Sequence, residues 1–169
     1  MNDKITLSAA QRRALMTDPA GWVATGFGSG LVPRMQGTVG SAVALLPWWF
    51  LWRGLSLPAY LSMLVLAFAV GVWACRRSSR RIAFADHRAL VWDEFVGQWL
   101  ALLPLLAGPS PWWMVLAGFV LFRVFDVAKP WPIGWLDARV KGGTGVMLDD
   151  VVAGAFAAIV LAIVQHVLT

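Results

Sequence analysis

FRVFDVAKPWPIGWLDARVKGGTGVMLDD, residues 122–150, carries four of the nine carboxylates of the chain, Asp126, Asp137, Asp149 and Asp150, in otherwise apolar surroundings. Asp126 closes one apolar run and the Asp149/Asp150 pair opens another, so the Pro- and Gly-rich segment between them is expected to gather acids where two membrane helices meet water. Acids kept in that position are costly and mark function. Lys129, Arg139 and Lys141 share the segment, and such a mixture suits a divalent cation plus an anionic substrate better than either alone. Pro130 and Pro132 stop the first helix, Trp131 and Trp135 suit the lipid headgroup level, and Gly142 to Gly145 permit a tight turn into a last span over 146–168. In that span Gly154 and Ala158, four apart, offer a small face for close helix contact. His166 falls at its far end.

The composition agrees with a membrane setting. With 59% hydrophobic residues, 14% charged, eleven Trp and a mean hydropathy of +0.69, the chain reads as one integral membrane domain over residues 1–169. Residues 1–20 lack the apolar core of a secretory signal, so insertion is expected to rely on internal spans. The single Cys75 excludes an internal disulfide and a multi-Cys metal site. A net charge of +5 reads in such a chain as topology and attraction to anionic lipid rather than nucleic-acid binding.

Outward from the opening stretch, the chain divides at its Gly, Pro and Arg clusters. Residues 1–20 predict a short surface helix, with Asp18-Pro19 as a turn. Residues 21–41, with Gly at 21, 26, 28, 30, 37 and 40, predict a re-entrant or interfacial loop. Its amides, with Ser29, Arg34, Thr38 and Ser41, either cradle a phosphate or form a tight helix-packing loop. The runs 38–53 and 57–75 form a helical hairpin, and Arg76, Arg77, Arg80 and Arg81 beyond it mark the cytoplasmic side. Cys75 and Arg81 have the Cys-x5-Arg spacing of cysteine phosphatases, but a run of Arg and Ser at a helix end lacks the backbone freedom of a phosphate loop. Next, Asp86, Asp93 and Glu94 line the start of a run ending near Ala107, and helix from Asp86 onward would place Asp86 and Asp93 on one face. The bland alternative is a helix start whose acids complement the dipole. The run 112–127 then returns to Arg123 and Asp126, which at a spacing of three also make a local ion pair.

The fold class read from this pattern is all-α: a membrane helical bundle of four or five short transmembrane or re-entrant helices with a Gly-rich N-terminal loop. With five spans and the N-terminus inside, only Arg53 of the 14 Lys and Arg falls outside, a bias that orients the chain. It places the glycine-rich loop and every acid from Asp86 onward on the cytoplasmic face. Several runs are about 16 residues, about 24 Å against a hydrocarbon core of about 30 Å, hence the allowance for re-entrant segments or local thinning.

Oxygen ligands without a Cys or His cluster favour a hard cation, and Mg²⁺ is commonly held by carboxylates, water and substrate phosphate. The candidate ligands are Asp93, Glu94, Asp126, Asp149 and Asp150, and the wider candidate catalytic set adds Asp86 and Lys129. Arg34, Arg88, Arg123, Lys129, Ser29 and Thr38 are the candidate phosphate contacts. Lys129 has a structural alternative, pairing with Asp126 or with anionic lipid. His87, beside Asp86, is either a proton donor to the leaving alkoxide or a surface or supporting residue.

Four ordered blocks, GFGSGLVPRMQGTVGS (26–41), DHRALVWDEFVGQW (86–99), FRVFDVAKPWPIGWLD (122–137) and GGTGVMLDDVVAG (142–154), resemble the bacterial phosphatidylglycerophosphatase A lipid phosphatases over nearly the whole chain. The resemblance implies Mg²⁺-dependent hydrolysis of phosphatidylglycerol phosphate to phosphatidylglycerol and inorganic phosphate at the inner membrane. Asp86, Asp93, Glu94, Asp126, Asp137, Asp149 and Asp150 are its matching acids and Lys129 its matching base. Arg34 departs from the more neutral, Pro-rich loop expected there. Two other classes compete. A CDP-alcohol phosphotransferase shares Ala138-Arg139 and Gly145-x3-Asp149 but needs Asp-Gly before Ala-Arg, a longer spacer and an acid where Ala153 stands. A divalent cation transporter needs acids along a path through the bilayer, whereas these gather on one face. Histidine-based lipid phosphatases need two cooperating histidines, and His87 and His166 are expected on opposite sides.

Overall fold

A computed structural model describes residues 7–84, 87–108, 111–140 and 143–168, and all regular secondary structure among them is helical. The expected surface helix is α1, Ala9–Met16, started by a capping box in which Ser8 and Gln11 satisfy each other's amides. The turn at Asp18-Pro19 starts a second helix, α2, Pro19–Ala24: the Asp18 carboxylate accepts from the Ala20 amide and proline occupies the first position. Helix thus takes the front of the glycine-rich segment, where a loop was expected. The irregular part is confined to Gly26, Phe27 and Gly28, all at positive φ, and a 3₁₀ turn, Ser29–Leu31. Gly30 there lies against the Ala89 carbonyl, leaving no room for a side chain.

The expected hairpin is α3, Gln36–Pro47, a π turn over Trp48–Trp52, and α4, Leu57–Ile82. α4 does not stop at the arginine block as expected; Arg76, Arg77, Arg80 and Arg81 occupy its last two turns, and Ala83 in the left-handed region ends it. α5, Trp92–Ala101, starts later than the Asp86 onset considered above, and a 3₁₀ turn, Leu103–Ala107, follows it. Asp86 lies outside the described residues. α6, Trp112–Ala128, ends at Lys129, whose left-handed backbone and following Pro130 stop the helix. α7, Ile133–Arg139, folds part of the expected Pro/Gly loop into helix, and α8, Gly143–Leu168, places Asp149 and Asp150 in its second turn.

α4 and α8 are long and apolar enough to cross a membrane, and only 22% of the apolar window of each is buried within the protein. Their outward faces therefore call for an apolar surrounding. α3, α5 and α6 have 12, 10 and 17 residues, or about 15–26 Å at 1.5 Å per residue, short of a hydrocarbon core of about 30 Å.

α5 is the central element. It packs on α3, α4, α6 and α8, and all its residues but Glu94 and Leu100 are buried. Trp92 stacks on Phe95, and Trp99 meets both edge-on. Burial of these aromatics leaves no polar handle stranded: the indoles of Trp92 and Trp99 donate to the Ala67 and Ala44 carbonyls at 2.9 and 2.8 Å, and the Tyr60 hydroxyl donates to the Trp99 carbonyl at 2.6 Å. Gly97 and Gly154 face each other where α5 meets α8; a Cβ on Gly154 would run into the Gly97 backbone. The small face expected of Gly154 thus receives α5. Because Gly97 follows Asp93 by one turn and Gly154 follows Asp150 by one turn, this crossing sets how closely the two acidic helix starts approach.

Candidate active site

α3, α5 and α8 begin at the same end of the bundle, and α6 finishes there. That arrangement turns three partly positive helix starts toward one place. A cavity of about 660 Å³ opens between them, lined by Asp93, Glu94, Asp126, Asp137, Asp149 and Asp150 together with Arg88, Arg123 and Lys129. The acids come from four helices, α5, α6, α7 and α8, distant in sequence and convergent in space.

Within the cavity the acids fall into two groups. Carboxylate oxygens of Asp93, Glu94 and Asp150 lie within 4.8 Å of one another. Asp126 and Asp149 each hold a base: Arg123 Nη1 is 2.6 Å from Asp126 Oδ2, and Lys129 Nζ is 2.7 Å from Asp149 Oδ2 and 3.2 Å from Asp137 Oδ1. The local Arg123–Asp126 pair foreseen from the spacing is therefore present. The acid partners of Lys129 are Asp149 and Asp137, not Asp126. Both bases remain on the cavity wall.

Burial sets the electrostatics. Asp150 is 4% and Asp149 6% exposed, and Glu94 Oε2, Asp149 Oδ1 and Asp150 Oδ2 are buried without a hydrogen-bond partner among the described residues. Buried, unpaired carboxylate oxygens cost several kcal/mol each, at order of magnitude, unless a cation or a proton meets them. Glu94, in the first turn of α5 and outside the two long helices, is pushed up to about 8, by burial first and then by the charges of Asp150 and Asp126. Burial would pull Lys129 down, but its hydrogen bonds and attraction to Asp149 and Asp137 outweigh that and hold the ammonium above its ordinary value. The all-oxygen donor set and the orphaned oxygens fit a hard divalent cation.

The remaining expected residues separate by position. Thr38 and Arg88 line the cavity. Ser29 and Arg34 do not: the Ser29 hydroxyl faces the Thr25 carbonyl, and Arg34 is exposed outside the cavity. Of the glycine run, Gly26 packs against Phe95 and Val91 and Gly30 against Ala89 and Val91, and neither lines the cavity. His87 is buried against the Phe84 ring, accepts from the Ala89 amide and does not line the cavity. Sequence reasoning missed Gln36 and Gly37, the first residues of α3, which also line it. A Cβ on Gly37 would meet the Glu94 carboxylate and the Arg123 guanidinium and displace them. Its only sequence signal was membership of a glycine-rich run, and nothing local distinguished it from Gly30.

An all-helical protein with two helices fit to cross a membrane, and a pocket of buried acids and bases at one end, is the class that fold and site define. Residues 22–165 match the family model for phosphatidylglycerophosphatase A. The chain is 42% identical over 157 residues to the phosphatidylglycerophosphatase A of Escherichia coli K12, covering 93% of this chain and 90% of that protein. It is 36% identical to the phosphatidylglycerophosphatase A of Haemophilus influenzae, covering 92% and 94%. A protein of Bacteroides thetaiotaomicron named a putative phosphatidylinositol-3-phosphatase is 37% identical over 150 residues, covering 86% and 93%. No solved structure matches. The chain belongs to the phosphatidylglycerophosphatase A family and is a phosphatase.

Proposed function

We propose that this enzyme hydrolyses the terminal phosphate monoester of phosphatidylglycerol phosphate, releasing phosphatidylglycerol and inorganic phosphate, with Mg²⁺ as cofactor, at the cytoplasmic face of a bacterial inner membrane. One observation carries the chemistry: acids from α5, α6 and α8 surround a single cavity that two paired bases also line, and three of its buried carboxylate oxygens lack partners. Asp93, Glu94 and Asp150 would hold the cation, with Asp126 and Asp149 beside them; when bound it supplies charge neutralisation at the phosphate oxygens.

The protein's own groups do the rest. Arg123 and Lys129 wait on the wall, each held in place by a carboxylate, and exchange part of that pairing for phosphate oxygens when substrate arrives. The open first-turn amides of α3 add donors that favour an anion. Arg88, exposed at the rim, meets the outer part of the headgroup. The phosphorus–oxygen bond to glycerol breaks, water supplies the oxygen that leaves in inorganic phosphate, and the glycerol oxygen departs with a proton. Placement of the cavity at the end where α4 carries its arginines supports a cytoplasmic opening.

The test is release of inorganic phosphate by purified protein from phosphatidylglycerol phosphate with Mg²⁺, and its loss on adding EDTA. Because one relative is named for a phosphoinositide, phosphatidylinositol 3-phosphate belongs in the same assay. Preference for the inositol lipid would replace the headgroup assignment while leaving the site chemistry standing. Turnover unaffected by EDTA would remove the cation.

A further inference from the structure

Outside the acidic cavity, the C-terminal part of α4 borders a second, shallower cavity of about 650 Å³. Its wall is a single helix face graded along its length. Ala69, Val72 and Trp73 come first and Arg76, Arg77, Arg80 and Arg81 follow, at spacings of three, four, seven, eight, eleven and twelve from Ala69 that keep them together on a helix. The wall contains no acid. Among the described residues Asp18, 4% exposed, is the one counter-charge that reaches it: its Oδ2 takes Arg77 Nε at 2.9 Å and Arg81 Nε at 2.7 Å. Both guanidiniums are tied through Nε, which leaves their terminal amino groups for another acceptor. Arg76 and Arg80 are exposed and have no acidic partner among the described residues. Among the described residues, four positive charges against one negative leave a net +3.

We propose that this face binds one anionic phospholipid, its phosphate among the four arginines and its upper acyl chain along Trp73, Val72 and Ala69. Charge complementarity selects the sign of the ligand, and the grading selects a lipid over a free anion. The basic half gathers donors in planar forks suited to phosphate oxygens, while the apolar half, with Trp73 51% exposed, lies on a helix fit to cross a membrane and gives a small anion nothing. The buried Asp18 holds two of the arginines in register before a lipid arrives, so little side-chain entropy is lost on binding.

The experiment titrates full-length protein in neutral detergent with phosphatidylserine or phosphatidylcholine and counts retained lipid by native mass spectrometry. Wild type should retain phosphatidylserine and not phosphatidylcholine. Arg76→Gln with Arg80→Gln should weaken phosphatidylserine binding about 30-fold, from about fivefold per surface charge, with an unchanged Tm in lipid-free detergent because neither side chain has an ion pair to lose among the described residues. Arg76→Lys with Arg80→Lys should retain most of the affinity, and Trp73→Ala should weaken it without altering the charge. Equal retention by wild type and the double Gln variant, or displacement of phosphatidylserine by millimolar inorganic phosphate, overturns the proposal.

Discussion

Asp150 shows what a carboxylate must do here. Its Oδ2 is buried without a partner, and its oxygens approach those of Asp93 and Glu94. Asp150→Asn, Asp93→Asn and Asp149→Asn should each lower kcat by about 10²–10³-fold, the range for removing one group that stabilises transition-state charge in a partly dry site. Circular dichroism should show the helices intact. Lys129 separates two roles that the sequence left open. If it contacts the scissile phosphate as well as Asp149, Lys129→Gln should depress kcat/KM strongly in micelles free of anionic lipid, and Lys129→Arg should recover part, since a point charge is needed more than a planar fork. Near-normal turnover of Lys129→Gln in neutral micelles would leave it a structural ion pair.

Asp18 belongs to the same scale with the opposite expectation. It stands far from the acidic cavity, capping α2 and binding Arg77 and Arg81, and Asp18→Asn should leave kcat near wild type. Its carboxyl is held below the ordinary 3.8, first by the Arg77 hydrogen bond, against a burial effect that raises it. A depressed acid pKa means that the unfolded chain binds the proton more tightly, so its stabilisation is present above 3.8 and is lost as pH falls through the lower folded value. Thermal unfolding between pH 5 and 2.5 should show a larger Tm decrement in wild type than in Asp18→Asn.

At the scale of elements, the crossing of α5 and α8 governs the site from one turn away. A Cβ on Gly97 would lie 2.6 Å from Phe122 Cε2 and 2.7 Å from the Asp150 carbonyl. Gly97→Ala and Gly154→Val should therefore push the helices apart, at an overpacking cost of about 1–3 kcal/mol, and carry Asp93 away from Asp150. Phosphate release should fall more steeply than Tm, and raised Mg²⁺ should restore part of it if the damage is to the spacing of ligands. Ala158→Gly, on the same face of α8 but beyond the crossing, serves as the comparison, with activity retained. The early part of the glycine-rich segment obeys a different constraint: Gly21, though helical, has the Leu15 backbone against it, so its glycine serves packing of α1 on α2.

Over the whole molecule, the ends of the helices sort by charge. Acids and most bases collect where α4 ends and α8 begins, and the opposite end carries Arg53, near Trp49, and the uncharged turn after α5. In a Cys75→Ser background, a cysteine at exposed position 34 should be labelled only from the cytoplasm, and one at exposed position 167 only from outside. Labelling of position 34 by an impermeant reagent on intact cells would invert the orientation.

Much of this was legible in one dimension. Apolar runs ended by Arg, Pro and Gly implied an all-α chain, and each acid of the site but Asp137 sits at the start or end of such a run, so alternation of direction alone predicts that they share one end of a bundle. Helix punctuation is local, which is why Pro130 could be read as a helix stop. The glycine segment was misjudged because composition cannot distinguish a glycine needed for positive φ, as at Gly28, from one needed for contact inside a helix, as at Gly21. Which acids face each other, and which are spent holding Lys129 and Arg123, depends on the separation and rotation of α5, α6 and α8, set by contacts such as Gly97 on Gly154 between residues more than fifty positions apart. The same holds for Asp18 and the arginines of α4. Periodicity along a chain states which face a side chain occupies on its own helix, while the partner across the gap is decided by packing, and only the tertiary structure contains that.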